Sequence, residues 1–250
     1  MTKLLVVVAH PDDETFGCGS VLAHAAARGV ETVVACATRG ELGEVAPGSG
    51  IDRARLGTAR EGELRAATSE LGVARVFLFG WGDSGVDGEL PAGSLAGAAV
   101  EDVAAAVVDI LDAEHPDVVV TPDGRDGHRD HAAICDATLR AVGEAAWRPP
   151  RTYLWCLPRS VLAPYAGVDT IGTPDELITT VIDTTPHLER RWRAIRKHES
   201  QVPPFDAMSP EMQHAFLATD YLIRVEPAWT GGPIERELFA TTPASGCEAD

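Results

Sequence analysis

The chain has 250 residues, 45% hydrophobic and only 6% aromatic, so a large core can close without staples, packed chiefly by Ala, Val and Leu. Its formal charge is −17, with 38 acidic side chains against 21 basic ones. A surface that negative repels phosphate backbones and anionic headgroups, which argues against nucleic acid and membrane surfaces as main partners.

Leu4 to Val8 is a continuous apolar run, expected as a strand buried on both faces. It meets His10-Pro11-Asp12-Asp13-Glu14 too soon for a signal peptide, and no stretch approaches the roughly 20 apolar residues of a membrane span. A cytoplasmic protein is expected. Phe16 to Arg28 reads as a helix stopped by Gly29, and Glu31 to Ala37 as a second strand. Arg53 to Leu71 is an amphipathic helix closed by Gly72, and Arg75 to Phe79 a third strand. Leu95 to Glu114 reads as a helix ended by Pro116, Val118 to Thr121 as a fourth strand, and Asp130 to Val142 as the next helix. Strand then helix, repeated with short connections, means a Rossmann-like, doubly wound α/β fold: a mostly parallel sheet with helices on both faces. Such sheets bind ligands outside the carboxyl ends of their strands.

Beyond about Arg151 the rhythm changes. Thr152 to Leu157, Leu177 to Ile182 and Tyr221 to Val225 read as strands, and His187 to His198 as a helix. One domain is expected over residues 1–250: a core at 1–145, a C-terminal layer at 146–240 and a flexible tail at 241–250. The stretches Glu41 to Asp52 and Gly80 to Ser94 are long loops expected near the site.

Five cysteines, Cys18, Cys36, Cys135, Cys156 and Cys247, form no CxxC pair, so neither a disulfide framework nor a cysteine zinc site is expected. Gly17-Cys18-Gly19 suggests a dinucleotide loop, but Leu22 stands where its third glycine belongs. His24 and His115 are expected on helix surfaces, His187 and His214 show no partner pattern, and His198 reads as a helix C-terminal charge. Arg190, Arg191, Arg193 and Arg196 read as a solvated helix face, with Glu61, Glu63 and Glu70 facing water.

Two segments carry chemistry. His10-Pro11-Asp12-Asp13-Glu14 puts one imidazole and three carboxylates directly after the first strand. Asp123-Gly124-Arg125-Asp126-Gly127-His128-Arg129-Asp130-His131 follows the fourth, with two histidines spaced i, i+3 and Asp130 expected to help cap the helix. Both lie at strand carboxyl ends and should converge on one crevice. Two histidines and one carboxylate with an open position form a recurrent catalytic zinc set. Spacing alone does not choose between Asp12 and Asp13 as the ligand.

These segments, with Gly40-Glu41-Leu42-Gly43-Glu44, Arg60 and Glu63 before Leu71-Gly72-Val73, Asp83, and Lys197-His198-Glu199-Ser200-Gln201, resemble the LmbE-like, or PIG-L, family of metal-dependent N-deacetylases. That family includes deacetylases and an amidase of thiol-sugar metabolism and antibiotic-pathway enzymes. The resemblance implies that His10, Asp13 and His131 hold zinc, ferrous iron accepting the same donors. It makes Asp12 the general base toward water, and His128, oriented by Asp130, the group that stabilises the oxyanion or protonates the leaving amine. It matches Glu44, Arg60 and Asp83 to sugar contacts. The implied substrate is an N-acetylglucosamine-type small molecule, cleaved to amine and acetate. An amidase of thiol-sugar conjugates, a deacetylase of a secondary metabolite and a non-catalytic Rossmann-like binding protein are the alternatives. The last is disfavoured because Asp12 and His128 are both present. A homo-oligomer is compatible with the sequence.

Overall fold

The computed structural model describes residues 1–166 and 172–239; the tail expected after Thr241 lies outside the described residues. In chain order, β1 (Lys3–Val8) leads through a single turn, α1 (Asp13–Phe16), into α2 (Gly19–Ala27). There follow β2 (Glu31–Cys36), α3 (Leu56–Leu71), β3 (Arg75–Leu78), α4 (Val100–Glu114), β4 (Val118–Pro122) and α5 (Arg129–Glu144). The C-terminal third supplies β5 (Arg151–Cys156), α6 (Arg159–Ala166), β6 (Thr180–Asp183), α7 (Leu188–Ile195), α8 (Pro210–Leu217) and β7 (Thr219–Glu226).

The seven strands lie in one sheet, ordered β3-β2-β1-β4-β5-β7-β6. The pairings from β3 through β5 are parallel, whereas β7 pairs antiparallel with both β5 and β6. Period-two alternation along β1 explains the layers. Leu4, Val6 and Val8 pack toward α2, α3 and α7, while Leu5 and Val7 pack toward α4 and α5. Successive β-branched and leucine side chains are therefore buried on both sides. The chain runs outward from β1 to β3, then crosses back to β4 on the other side of β1. This reversal opens the crevice at the carboxyl ends of β1 and β4.

Several expectations change in detail. The helix foreseen over Phe16 to Arg28 is broken at Gly17 and Cys18. A Cβ on Gly17 would lie 2.7 Å from the Asp13 carbonyl oxygen, with the Trp155 ring at 3.3 Å. Leu95 to Gly97 forms a 3-10 turn, and α4 begins at Val100. Asp175 to Leu177 is likewise a 3-10 turn, so β6 starts at Thr180. Helices α6 and α8 were not foreseen. Ser209 caps α8, its hydroxyl accepting from Met212 N–H, with Pro210 as the first helical residue. That Ser-Pro-Glu start is a readable signal; α6 carries Pro164 within its eight residues and shows none. Among the described residues, no helix is long and apolar enough to cross a membrane. The four described cysteines are buried and unpaired, and burial pushes the Cys18 thiol well up, which makes it an inert packing group.

Candidate active site

The turn after β1 is held by its own carboxylates. Asp12 has φ of +124°, one of two described non-glycine residues at positive φ, a strained conformation that needs support from its surroundings. Its carbonyl accepts from Thr15 N–H at 2.9 Å and Phe16 N–H at 2.7 Å, and its own N–H donates to Glu14 Oε2 at 2.9 Å. Glu14 is fully buried, and its Oε1 lies 2.9 Å from His198 Nε2 and also accepts the Thr15 hydroxyl proton. His198, 1% exposed, is therefore no helix-end surface charge. It is the far anchor of the Asp12 turn: burial opposes its charge, but the charge and hydrogen bond of Glu14, with the charges of Asp12 and Glu63, raise its pKa.

Asp13 sits between two imidazoles. Its Oδ2 lies 3.5 Å from His10 Nδ1 and accepts from His10 N–H at 2.8 Å, and its Oδ1 lies 3.2 Å from His131 Nε2. Each ring turns its other nitrogen to a further carboxylate: His10 Nε2 to Asp130 at 3.0 Å, His131 Nδ1 to Asp126 at 2.5 Å. His128 stacks on His131 at 4.7 Å and stands edge-on to His10 at 4.6 Å. One ring nitrogen from each of these three histidines, and separately donors of His10, Asp83 and Asp130, fall within 4.8 Å of one another.

Asp130 does not act as foreseen. His128 is the N-cap of α5, its Nδ1 accepting from Asp130 N–H at 3.2 Å. The Asp130 carboxylate instead faces His10 and accepts from Ser84 N–H at 2.9 Å and Ala96 N–H at 3.1 Å. It orients His10, while only its backbone holds His128.

Electrostatics separates the two adjacent aspartates. Burial raises Asp12, Arg60 draws it back and Asp13 lifts it again, leaving a pKa of about 6. Asp13 is held well below the carboxylate range because the His131 charge and hydrogen bonds from both imidazoles outweigh its burial. Burial opposes charge on His10 and His131, yet their carboxylate partners win, at about 9 and about 11. His128 is lowered by burial and by its charged histidine neighbours, which keeps it neutral at pH 7 with its proton on Nε2.

Of the three residues expected to contact the sugar, Arg60 and Asp83 are buried and Glu44 is exposed. Arg60, 3% exposed, lies beneath the site. Its guanidinium pairs with Asp12 at 3.0 Å and donates to the Pro11 and Gly40 carbonyls. Gly40, at φ +61°, makes room for it, since a Cβ there would sit 2.3 Å from Nη1. Asp83, 4% exposed, accepts from Leu42 N–H at 3.0 Å and Gly85 N–H at 2.7 Å, tying the two long loops together. Its Oδ1 lies 3.7 Å from His10 Nε2. Glu44 stays exposed on the first loop.

Other surface assignments also move inward. Arg191 is fully buried, paired with Asp220 and donating to the carbonyls of Thr15, Phe16, Gly17 and Leu217. Glu63 accepts from Ser200 N–H at 2.7 Å and its hydroxyl at 2.6 Å. His24 and His187, both half-buried, meet edge to face at 5.3 Å, whereas His115 stays exposed, as expected, and stacks on Trp147 at 4.5 Å. Asp126, missed from the sequence, had one signal: it stands five residues before His131 in the same turn.

A mostly parallel α/β sheet with a histidine and aspartate cluster at its topological switch point defines a Rossmann-like protein with a site suited to a cation. Within that class the chain belongs to the PIG-L family, whose profile, described as GlcNAc-PI de-N-acetylase, matches residues 5–142. A 1D-myo-inositol 2-acetamido-2-deoxy-alpha-D-glucopyranoside deacetylase of Geodermatophilus obscurus is 35% identical, the alignment covering 96% of this chain and 98% of the relative. A second deacetylase of that description, from Saccharopolyspora erythraea, is 36% identical over 94% of this chain and 99% of its own. The N,N'-diacetylchitobiose deacetylase from Pyrococcus horikoshii shares the fold, with a TM-score of 0.67 at 20% identity, covering 89% of this chain and 83% of that one.

Proposed function

We propose that the protein is a zinc-dependent N-deacetylase that hydrolyses the acetamide of an N-acetylglucosamine-type sugar, or a conjugate of one, to amine and acetate. The observation that carries this reading is the pair Asp12 and Asp13: adjacent carboxylates, one committed to two imidazoles, the other beside them with its pKa raised to about 6. The deacetylase relatives support it.

The residues present fit a zinc ion. His10, Asp13 and His131 would hold it, and each imidazole has its second nitrogen fixed by a carboxylate, the arrangement that sets tautomer and orientation in metal-binding histidines. When bound, the metal supplies Lewis acidity toward the amide carbonyl and makes water acidic enough to attack near pH 7. Asp12 takes the proton of the attacking water, held in place by Arg60 from below and by the Glu14 and His198 clamp on its backbone. Neutral His128 presents its Nε2 proton to the developing oxyanion and then to the leaving nitrogen. Burial of its ring opposes protonation and favours this neutral form. The chain acts as one catalytic domain, in the cytoplasm, with the C-terminal layer contributing His198.

Metal content and acetate release from N-acetylglucosamine and its α-linked conjugates test the reading. Wild type should hold about one zinc per chain, since the donor groups among the described residues share His10. His131→Ala should lose the metal, and full retention of metal and activity would refute the ligand set. Asp126→Asn removes only the carboxylate behind His131, so zinc affinity should fall about 10–100-fold in a chelator competition; an unchanged affinity would mean that Asp126 merely shapes the turn.

A further inference from the structure

Asp13 and His131 also border a cavity of about 270 Å³ that the mechanism above leaves unused. Phe16, Trp155, Leu157, Leu162, Phe205 and Met208 supply its apolar wall. Most of these side chains form a separate apolar cluster, built from the α1 turn, the segment after β5 and the segment between α7 and β7. Arg125 and Asp126 are the polar residues that accompany His131 along it, and Asp123 there accepts the Thr173 hydroxyl proton.

Size and placement together say what this space is for. A water occupies about 30 Å³ of liquid, and an acetyl methyl is of similar bulk, so it would leave most of the cavity unfilled. Small-ligand sites begin near about 300 Å³, which puts the space on the scale of a substrate fragment. Neither His128, Arg60, Asp83 nor Glu44 lines it. The group that hands a proton to the leaving nitrogen thus stands apart from the cavity, whereas two of the three residues that grip the reaction centre open into it. A substrate held with its amide nitrogen toward His128 would have its acyl substituent left to face the apolar wall that Asp13 and His131 border.

We propose that this cavity receives the acyl chain of the scissile amide, and that the substrate class extends to amino sugars N-acylated with unbranched chains longer than acetyl. This rests on the deacylase reading above. The reaction is the same hydrolysis: the water oxygen bonds to the acyl carbon, the C–N bond breaks, a water proton ends on the amine nitrogen, and an alkanoate leaves.

The test uses the zinc-loaded full chain and N-acetyl, N-butanoyl, N-hexanoyl and N-octanoyl glucosamine, with octyl N-acetylglucosaminide as a control for an apolar aglycone. Burial of added methylenes should raise kcat/KM for the hexanoyl substrate at least about tenfold over acetyl. Met208→Trp and, independently, Leu157→Trp should fill the cavity and lower the hexanoyl to acetyl ratio about tenfold. Calorimetric titration of hexanoate gives a readout without turnover: wild type should bind it more tightly than acetate, and the tryptophan variants should lose that difference. Hydrolysis confined to the acetyl substrate, with no preference for hexanoate, would overturn the inference and leave the deacetylase standing. A gain with the octyl glycoside but none along the acyl series would overturn it by assigning the cavity to an aglycone. No hydrolysis of any amide by metal-loaded protein would overturn both readings.

Discussion

Asp12→Asn should lower kcat by about 10²–10⁴-fold, the usual contribution of a general base, while zinc stays bound. The substitution keeps the size of the side chain and removes only its ability to take a proton. Metal analysis alongside turnover decides the role: loss of zinc with activity would make Asp12 a ligand instead. The wild-type pH profile carries the same signature. Asp12 must be unprotonated to act, and burial, moderated by Arg60 and reinforced by Asp13, places its pKa at about 6. Activity should therefore hold above that pH and fall as pH drops through about 6, well above the range of an ordinary carboxylate. Arg60→Met removes the charge that favours the ionised form, so the acidic limb should move to higher pH. An unmoved limb with a raised KM would return Arg60 to substrate binding.

The largest loss of stability is expected at Arg191. Its guanidinium is fully buried, 3.3 Å from Asp220, itself 1% exposed, and its other donors serve carbonyls of the α1 turn and the end of α8. Arg191→Leu would strand a buried carboxylate and several carbonyls at once. Breaking one side of such a pair costs about 3–5 kcal/mol, or a fall in Tm of roughly 6–20 °C for a chain of this size. The double variant Arg191→Leu with Asp220→Leu should recover part of that loss, because no unpaired charge remains. Thermal melts of the three proteins check this. Equal Tm for Arg191→Leu and wild type would show that the pair contributes nothing.

Zinc affinity of the His131 and Asp126 variants reports on a different layer, the carboxylates behind the imidazoles. These carboxylates show how far a sequence can be read. The apolar run at Leu4 to Val8 and its counterparts at Val33 and Val118 announce buried parallel strands because consecutive apolar side chains must be covered on both faces. The two charged segments at the ends of β1 and β4 announce a crevice because parallel α/β sheets bind ligands at their strand carboxyl ends, and the observed reversal of strand order then sets β1 beside β4. Local pattern thus gives the strand ends, and the fold makes the two of them neighbours.

The partners of each charged side chain were not legible in that way. His198 meets Glu14 across 184 positions, and Arg191 meets Thr15 across 176. Nothing in the helix that carries Arg190 to Arg196 marks which arginine turns inward, since α7 packs against α2 and α3 on one side and the α1 turn on another. The family resemblance implies Asp130 as the partner of His128, but its carboxylate is aimed by the fold at His10, 120 positions distant. Local sequence thus determined the strands, the crevice and the residue types gathered there. Tertiary packing alone decided which nitrogen each imidazole offers, which aspartate has its pKa raised and which cations are buried, because desolvation and charge pairing depend on neighbours brought together from distant parts of the chain.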